Sequence, residues 1–157
     1  PRDKIYNIPV DIFIPAAGSF TINEETVPSL ISSGVKLIVE AANIPTTSAA
    51  EKILRDKGVW IIPDFLVNAG GVIGSHIEYI GGTEKQAFDY IRYKITNNVR
   101  RILMKSFEMG RWPREVALEV AKNRVRKAML LRAGAIEVAT EAYAREEYDY
   151  SFESEES

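Results

Sequence analysis

The chain lacks cysteine altogether and carries a single histidine, His76, among its 157 residues. Disulfides and thiolate catalysis are therefore impossible, and metal centres or catalytic triads that need imidazole or sulfur are disfavoured. Apolar runs as long as the roughly 20 residues needed to cross a bilayer are also missing. These absences predict no metal site and no membrane partner, and they suit a protein of the reducing cytoplasm.

Local catalytic motifs are absent as well. The sequence contains no G-x-G-x-x-G, no Walker loop, no H-E-x-x-H and no G-x-S-x-G. The glycine-rich residues 70–74 (GGVIG) do not have the spacing of a dinucleotide fingerprint. Local motifs therefore predict no catalytic residue, and function must be sought in loops that follow predicted strands.

Length and average composition indicate one globular domain of ordinary size. Apolar residues make up 46% of the chain and charged residues 27%, with a formal net charge of −2, close to a typical soluble domain. The chain begins at Pro1 rather than at methionine, only nine residues before the first predicted strand. We therefore expect a fragment of a longer protein.

Charge is unevenly distributed. Residues 92–132 contain twelve Lys or Arg against three Glu, a bias that can mark a nucleic-acid surface. These basic residues alternate with apolar ones at helical spacing and lack interleaved stacking aromatics, so a solvated or intersubunit helix face is favoured and no nucleic-acid partner is expected. Residues 146–157 are acidic and poor in aliphatic side chains, which predicts a disordered tail.

Three apolar runs recur at intervals of about 24 residues, at 10–14, 35–39 and 59–62. Continuous rather than alternating runs are typical of strands buried on both faces of a parallel sheet. Asn23 is predicted to cap the helix between the first two strands, and Ser48 with Glu51 forms a predicted capping box for the next. Gly34 and Gly58 are predicted to end these two helices. The pattern is β-α-β-α-β.

Long amphipathic helices are predicted after residues 81–82. One ends at Gly110, the next begins at Pro113, and a last helix passes through Ile136 and Tyr143. The predicted organisation is a sheet-forming segment over residues 1–80, a helical segment over 81–145 and an acidic tail over 146–157. Ligands of open α/β sheets bind beyond the carboxyl ends of the strands, which points to three loops. These are residues 15–18, residues 40–47 and residues 68–75.

Five ordered blocks of this sequence resemble the glutamate/leucine/phenylalanine/valine dehydrogenase family, and its glutamate enzymes most closely. The resemblance covers about residues 4–134. The blocks are residues 11–17 (DIFIPAA), residues 39–47 (VEAANIPTT), residues 63–75 with PD, NAGGV and a serine, residues 113–115 (PRE) and residues 124–129 (RVRKAM).

The resemblance implies the second half of a Rossmann-like parallel sheet followed by C-terminal helices, with NAD or NADP as cofactor. The family's reaction is oxidative deamination of an amino acid, here L-glutamate to 2-oxoglutarate and ammonia, with hydride transfer to the nicotinamide. Its catalytic Lys and Asp belong to an N-terminal half that is not in this sequence. The implied partners are that missing half and further copies in a hexamer, and the isolated chain is expected to be inactive.

Carried over by position, the family's cofactor contacts fall on both asparagines. Asn43 would meet the nicotinamide-side ribose and Asn68 the nicotinamide end, since amides donate and accept without adding charge. The alternative for Asn68 is a turn or helix cap. Two glycines would let the backbone come close to the nicotinamide ring, and two alanines would line the crevice that holds the cofactor. The predicted cofactor-binding residues are Ala16, Ala17, Asn43, Asn68, Gly70 and Gly71.

Ser75 is the predicted substrate-binding residue, because a serine at the matching position of the family's glutamate enzymes contacts the side-chain carboxylate. The alternative is a helix N-cap, since residues 76–78 follow directly. His76 is interpreted as pocket rim or packing. Where the family often has glycine this chain has Ile44, which resists positive φ and predicts a differently shaped loop. A non-enzymatic assembly or regulatory module remains the alternative function.

Overall fold

The computed structural model describes residues 2–132 and has an α/β fold. A short 3-10 segment, Arg2–Asn7, precedes the first strand. The strands are β1 (Ile12–Phe13), β2 (Leu37–Val39) and β3 (Trp60–Ile62). The helices are α1 (Val27–Ser32), α2 (Ser48–Asp56), α3 (Asp64–Val67), α4 (Gly70–Tyr79), α5 (Glu84–Met109) and α6 (Pro113–Arg132).

The three strands form one parallel sheet in the order β1-β2-β3. Ile38 pairs with Phe13 on one side and with Ile61 on the other. Because α1 and α2 connect consecutive strands, the predicted β-α-β-α-β order is confirmed. The carboxyl ends of all three strands consequently lie along one edge of the sheet.

The prediction that each strand is buried on both faces of the sheet is wrong for β1. Ile12 and Ile14 are exposed, whereas Ile38 and Ile61 of the other strands are buried. Within residues 2–132, β1 has a strand neighbour on one side only. An outer strand with one neighbour shields fewer side chains than a central one, which accounts for the difference.

The hydrophobic core lies where α1 and α2 pack against the sheet. Its largest fully buried apolar side chains come from the loop before α1, from both helices and from the central strand: Ile22, Leu30, Leu54 and Ile38. Elsewhere α5 approaches the sheet through Phe107, whose ring centroid lies 4.7 Å from that of Trp60. A largely apolar cavity of about 840 Å³, lined by residues of β2, β3 and α5, remains there.

The predicted N-caps of α1 and α2 are wrong, by three residues and by one residue respectively. α1 begins at Val27, while Asn23 Oδ1 accepts from the Glu25 and Thr26 N–H groups and caps only the preceding turn. α2 has Thr47 as its N-cap, whose Oγ1 accepts from the Ala50 N–H at 3.1 Å, so no capping box forms at Ser48. Each error shifts a helix terminus and leaves the topology unchanged.

The glycine-rich segment 68–75, predicted to be a loop, is largely helical because α4 begins at Gly70. A Cβ on Gly70 would lie 3.4 Å from Ile91 Cγ2, and one on Gly74 would lie 3.7 Å from Ile91 Cδ1. Both distances are ordinary van der Waals contacts, so α4 packs against Ile91 of α5 at these glycines, although the intrinsic helix propensity of glycine is low.

The predicted ends of the later helices are confirmed. α5 ends at Gly110, which takes the left-handed φ of 61°, and α6 begins at Pro113. α6 continues through residues 118–132, which belong to a second compact unit. In the described part of the chain, no helix is long and apolar enough to cross a bilayer. The last predicted helix and the acidic tail lie outside the described residues, and the division at 80, 145 and 157 stays a prediction.

Candidate functional site

The loops that follow β1 and β2 are joined by hydrogen bonds at the carboxyl edge of the sheet. The Ala42 N–H donates to the Pro15 carbonyl at 2.9 Å, and the Ser19 hydroxyl donates to the Asn43 carbonyl at 2.7 Å. Both bonds join the loop after β1 to the loop after β2. This edge is where ligands of open α/β sheets bind.

The structure brings the two predicted asparagines into direct contact. The Asn68 amide Nδ2 donates to Asn43 Oδ1 at 2.6 Å, across 25 residues of sequence. Asn43 is exposed and Asn68 is half-buried as the residue that ends α3. Within residues 2–132 this bond leaves the Asn43 Nδ2 donors and the Asn68 Oδ1 acceptor unengaged. We refer to these two side chains as the asparagine pair.

The remaining predicted cofactor-binding residues are close in sequence to residues of this edge. Ala16 and Ala17 are exposed directly after Pro15, whose carbonyl is tied to the loop of Asn43. Gly70 and Gly71 form the first turn of α4, whose N-cap, Ala69, provides no side-chain hydrogen bond. Gly71 faces open space, whereas Gly70 packs against α5.

Ser75, which the sequence places at the end of a predicted loop, lies inside a helix in the structure. It lies in the interior of α4 and is exposed, so the alternative of a helix N-cap is wrong. At about 1.5 Å of rise per residue, it stands roughly 7.5 Å along the helix axis from Gly70. Its hydroxyl makes no hydrogen bond to either asparagine in the structure. His76 is exposed beside it, in the last turn of the helix.

The loop of Asn43 contains a strained residue. Ile44 adopts a φ of 47°, so the expectation that this side chain would avoid positive φ is wrong. Its N–H donates to Asp64 Oδ2 at 2.8 Å, and its carbonyl accepts from the Phe20 N–H at 2.9 Å. Hydrogen bonds on both sides of the residue hold the conformation that its Cβ opposes.

A buried ionic cluster, not predicted from the sequence, lies beneath this loop. Three carboxylates converge on the Arg114 guanidinium, and we call these four side chains the Arg114 cluster. Nη2 donates to Glu40 Oε2 at 2.5 Å, Nε to Glu51 Oε2 at 2.7 Å and Nη1 to Asp64 Oδ1 at 3.4 Å. Glu40 is completely buried and Asp64 is 8% exposed.

The electrostatics of the Arg114 cluster favour its charged form. Burial acts to lower the pKa of the Arg114 guanidinium, but the carboxylates of Glu40, Glu51 and Asp64 outweigh it and raise that pKa above its ordinary value. Glu40 Oε1 is buried without a hydrogen-bond partner in the described chain. Because negative groups outnumber the cation that they share, removing Arg114 would leave buried charge uncompensated.

A signal for this cluster was present in the sequence. Glu40 and Asp64 each follow an apolar strand within two residues, where a charged side chain is buried unless it is paired. Arg114 follows the proline that opens α6. Which cation meets which carboxylate was not predictable, because 50 to 74 residues separate Arg114 from Asp64 and Glu40.

The chemistry of the edge fits a neutral polar ligand group. Carboxamides present both donors and acceptors, which match a second carboxamide or sugar hydroxyls without placing charge beside them. The carboxylates nearby are engaged by Arg114 and by backbone N–H groups. Among residues 2–132, no group of His, Asp and Glu side chains has the arrangement of a metal site. The edge can therefore form hydrogen bonds to a neutral polar ligand group.

Comparison with known proteins gives a consistent family. The sequence profile described as Glutamate/Leucine/Phenylalanine/Valine dehydrogenase matches residues 1–142. The glutamate dehydrogenase of Aeropyrum pernix is 41% identical over 140 residues, which are 82% of this chain and 32% of the relative. The NADP-specific glutamate dehydrogenase of Saccharolobus shibatae is 37% identical over 83% of this chain and 32% of its own length. Relatives named as NAD-specific glutamate dehydrogenases also match.

A solved dehydrogenase structure has the same fold as this chain. The L-tryptophan dehydrogenase of Nostoc punctiforme superposes with a TM-score of 0.69 and 30% identity, over 80% of this chain and 38% of that one. The Rossmann-like character of the half-sheet is thereby confirmed. The chain spans about a third of the length of the curated relatives that it matches.

Proposed function

Since the chain belongs to the Glutamate/Leucine/Phenylalanine/Valine dehydrogenase family, we propose that it forms the nicotinamide side of the nucleotide site in an NAD- or NADP-dependent glutamate dehydrogenase. The single observation that supports this most directly is the asparagine pair at the carboxyl edge of the sheet. The proposed reaction of the whole enzyme is oxidative deamination of L-glutamate to 2-oxoglutarate and ammonia.

The chain's contribution is binding and orientation. The free Asn43 donors would bind a ribose hydroxyl, and the Asn68 carboxamide would bind the nicotinamide carboxamide. Ala16, Ala17 and Gly71 would line the crevice without polar side chains. When bound, the cofactor accepts the hydride, and accurate placement of its ring is what these residues supply. The amides do not transfer protons, so acid–base steps belong to other parts of the enzyme.

Substrate choice is the finer part of the proposal. We assign Ser75 to the side-chain carboxylate of glutamate, because its hydroxyl is exposed on α4 and has no hydrogen-bond partner in residues 2–132. The similarity to an L-tryptophan dehydrogenase shows why this assignment needs its own test. Replacing Ser75 with alanine in the whole enzyme is expected to raise KM for glutamate more than KM for an apolar amino acid.

Nucleotide titration of the chain tests the proposed function. We expect weak binding of NADH or NADPH, followed by cofactor fluorescence, and a loss of about thirtyfold on Asn68→Ala, since two hydrogen bonds contribute roughly 1 kcal/mol each. Asn97→Ala is the matched control, because Asn97 is an exposed asparagine in α5. No binding by the wild-type chain would favour the non-enzymatic assembly or regulatory module.

The oligomeric state and the cellular compartment of the whole enzyme are also proposals. We propose a hexamer with the N-terminal half of the enzyme present, working in the cytoplasm. Sedimentation of the whole enzyme at micromolar concentration is expected to give a hexamer, and a monomer would contradict that expectation.

A further inference from the structure

Arg114 does not touch the asparagine pair, yet each asparagine is reached from its guanidinium by a short chain of hydrogen bonds. The first chain begins at Glu40 Oε2, which accepts from Arg114 Nη2 at 2.5 Å and from the Asp64 N–H at 2.9 Å. One carboxylate oxygen therefore links the guanidinium to the first residue of α3. The Asp64 carbonyl in turn accepts from the Asn68 N–H at 2.8 Å.

The second chain passes through the Asp64 carboxylate. Its Oδ1 accepts from Arg114 Nη1 at 3.4 Å, and its Oδ2 accepts from the Ile44 N–H at 2.8 Å. Ile44 follows Asn43 directly and holds a φ of 47° that its β-branched side chain opposes. The Asp64 carboxylate therefore connects Arg114 to the backbone turn that presents Asn43.

We propose that Arg114 is a positioning residue for the asparagine pair. Its planar guanidinium fixes Glu40 and Asp64 together, and these two carboxylates fix the backbone on either side of the contact between Asn43 Oδ1 and Asn68 Nδ2. The role in cofactor placement rests on the proposed function above, but the mechanical linkage does not. A lysine would keep the charge and lose the planar set of donors that serves three carboxylates at once.

Hydrogen exchange measured by NMR on the full chain without nucleotide tests the linkage. In Arg114→Lys we expect the Ile44 amide to exchange at least about tenfold faster relative to the Leu30 amide, and the Asn68 side-chain amide resonances to shift. The Leu30 amide reports the general stability of the core, because Leu30 is fully buried in α1. A purely structural role would speed both amides equally.

Arg55→Lys is the matched control. The Arg55 side chain is 26% exposed against 24% for Arg114, and it pairs with Glu115 and, at 4.0 Å, with Glu51. It contacts neither Glu40 nor Asp64, so the ratio of Ile44 to Leu30 exchange should stay at its wild-type value. The proposal would be overturned if the ratio of Ile44 to Leu30 exchange changed equally in Arg114→Lys and Arg55→Lys. It would also be overturned if that ratio stayed unchanged in a folded Arg114→Lys protein.

A second variant covers the case in which Arg114→Lys does not fold. The double variant Arg114→Met with Glu40→Gln removes the cation together with one buried negative charge, and the same tenfold loss of Ile44 protection is expected. An unchanged Ile44 to Leu30 ratio there would overturn the linkage. NADH and NADPH titrations of these variants complete the test, with about tenfold weaker binding expected for Arg114→Lys. If the wild-type chain bound neither nucleotide, the proposed function would fail while the exchange result still decided the linkage.

Discussion

Ile44 shows how a single residue carries conformational cost at the candidate site. It is 57% exposed, so its side chain gains little from burial, yet it holds a left-handed backbone. Hydrogen bonds from its N–H to Asp64 Oδ2 and from the Phe20 N–H to its carbonyl offset that cost. Left-handed backbone costs an L residue about 1–2 kcal/mol. The turn that presents Asn43 is therefore maintained by its neighbours rather than by Ile44 itself.

Ile44→Gly is expected to raise the free energy of unfolding by about 0.5–1 kcal/mol. Relief of the left-handed strain exceeds the added entropy that glycine gives to the unfolded chain. Ile44→Asn should stabilise similarly, because asparagine tolerates this backbone region, whereas Ile44→Val should give no gain. Urea unfolding measures all three. A glycine variant less stable than wild type would mean that the Ile44 side chain contributes contacts beyond those that its exposure suggests.

At the scale of the secondary-structure elements, helix ends followed from the sequence more reliably than helix starts. Gly110 ends α5 as predicted because left-handed backbone is where glycine is favoured. The starts of α1 and α2 were wrong because several capping side chains stand close together. Asn23 lies three residues before the observed N-cap Thr26, and Ser48 directly follows the observed N-cap Thr47.

α5 has a capping box of its own, which gives a prediction at this scale. Thr83 Oγ1 accepts from the Gln86 N–H, and Gln86 Oε1 accepts from the Thr83 N–H at 2.8 Å. Thr83→Ala is expected to lower the free energy of unfolding by about 1 kcal/mol, because the Gln86 N–H loses its side-chain acceptor. Urea unfolding measures the change.

Thr96→Ala provides the comparison for that variant. Thr96 is an exposed residue in the middle of the same helix, where alanine has the higher helix propensity. We expect no loss of stability there. Equal losses for the two threonine variants would show that the capping box does not contribute.

At the scale of the whole molecule, we propose that the chain contributes a surface that orients the cofactor. Its candidate site consists of carboxamides, small residues and backbone, while its buried carboxylates are held by Arg114. Part of the basic excess of residues 92–132 is used in ion pairs, by Arg114 and by Arg111 with Glu115 at 3.7 Å. That the chain has no nucleic-acid partner stays a prediction.

The isolated chain is expected to show no dehydrogenase turnover. In the proposed site the asparagine pair orients the nicotinamide and transfers no proton, and orientation alone leaves most of the barrier in place. A steady-state assay with L-glutamate and either NAD or NADP measures this, with a buffer blank as control. Turnover well above that blank would contradict the prediction.

The sequence by itself determined the parallel β-α-β-α-β order, the helix ends and the family, because apolar runs, glycines and ordered blocks are local features of the chain. Only the tertiary structure decided that α4 starts at Gly70, that Asn43 meets Asn68 and that Arg114 joins Glu40, Glu51 and Asp64. These contacts connect residues 25 to 74 positions apart or depend on how closely two helices pack. No local pattern encodes such a contact, since it exists only once the sheet and its helices bring distant segments to one place.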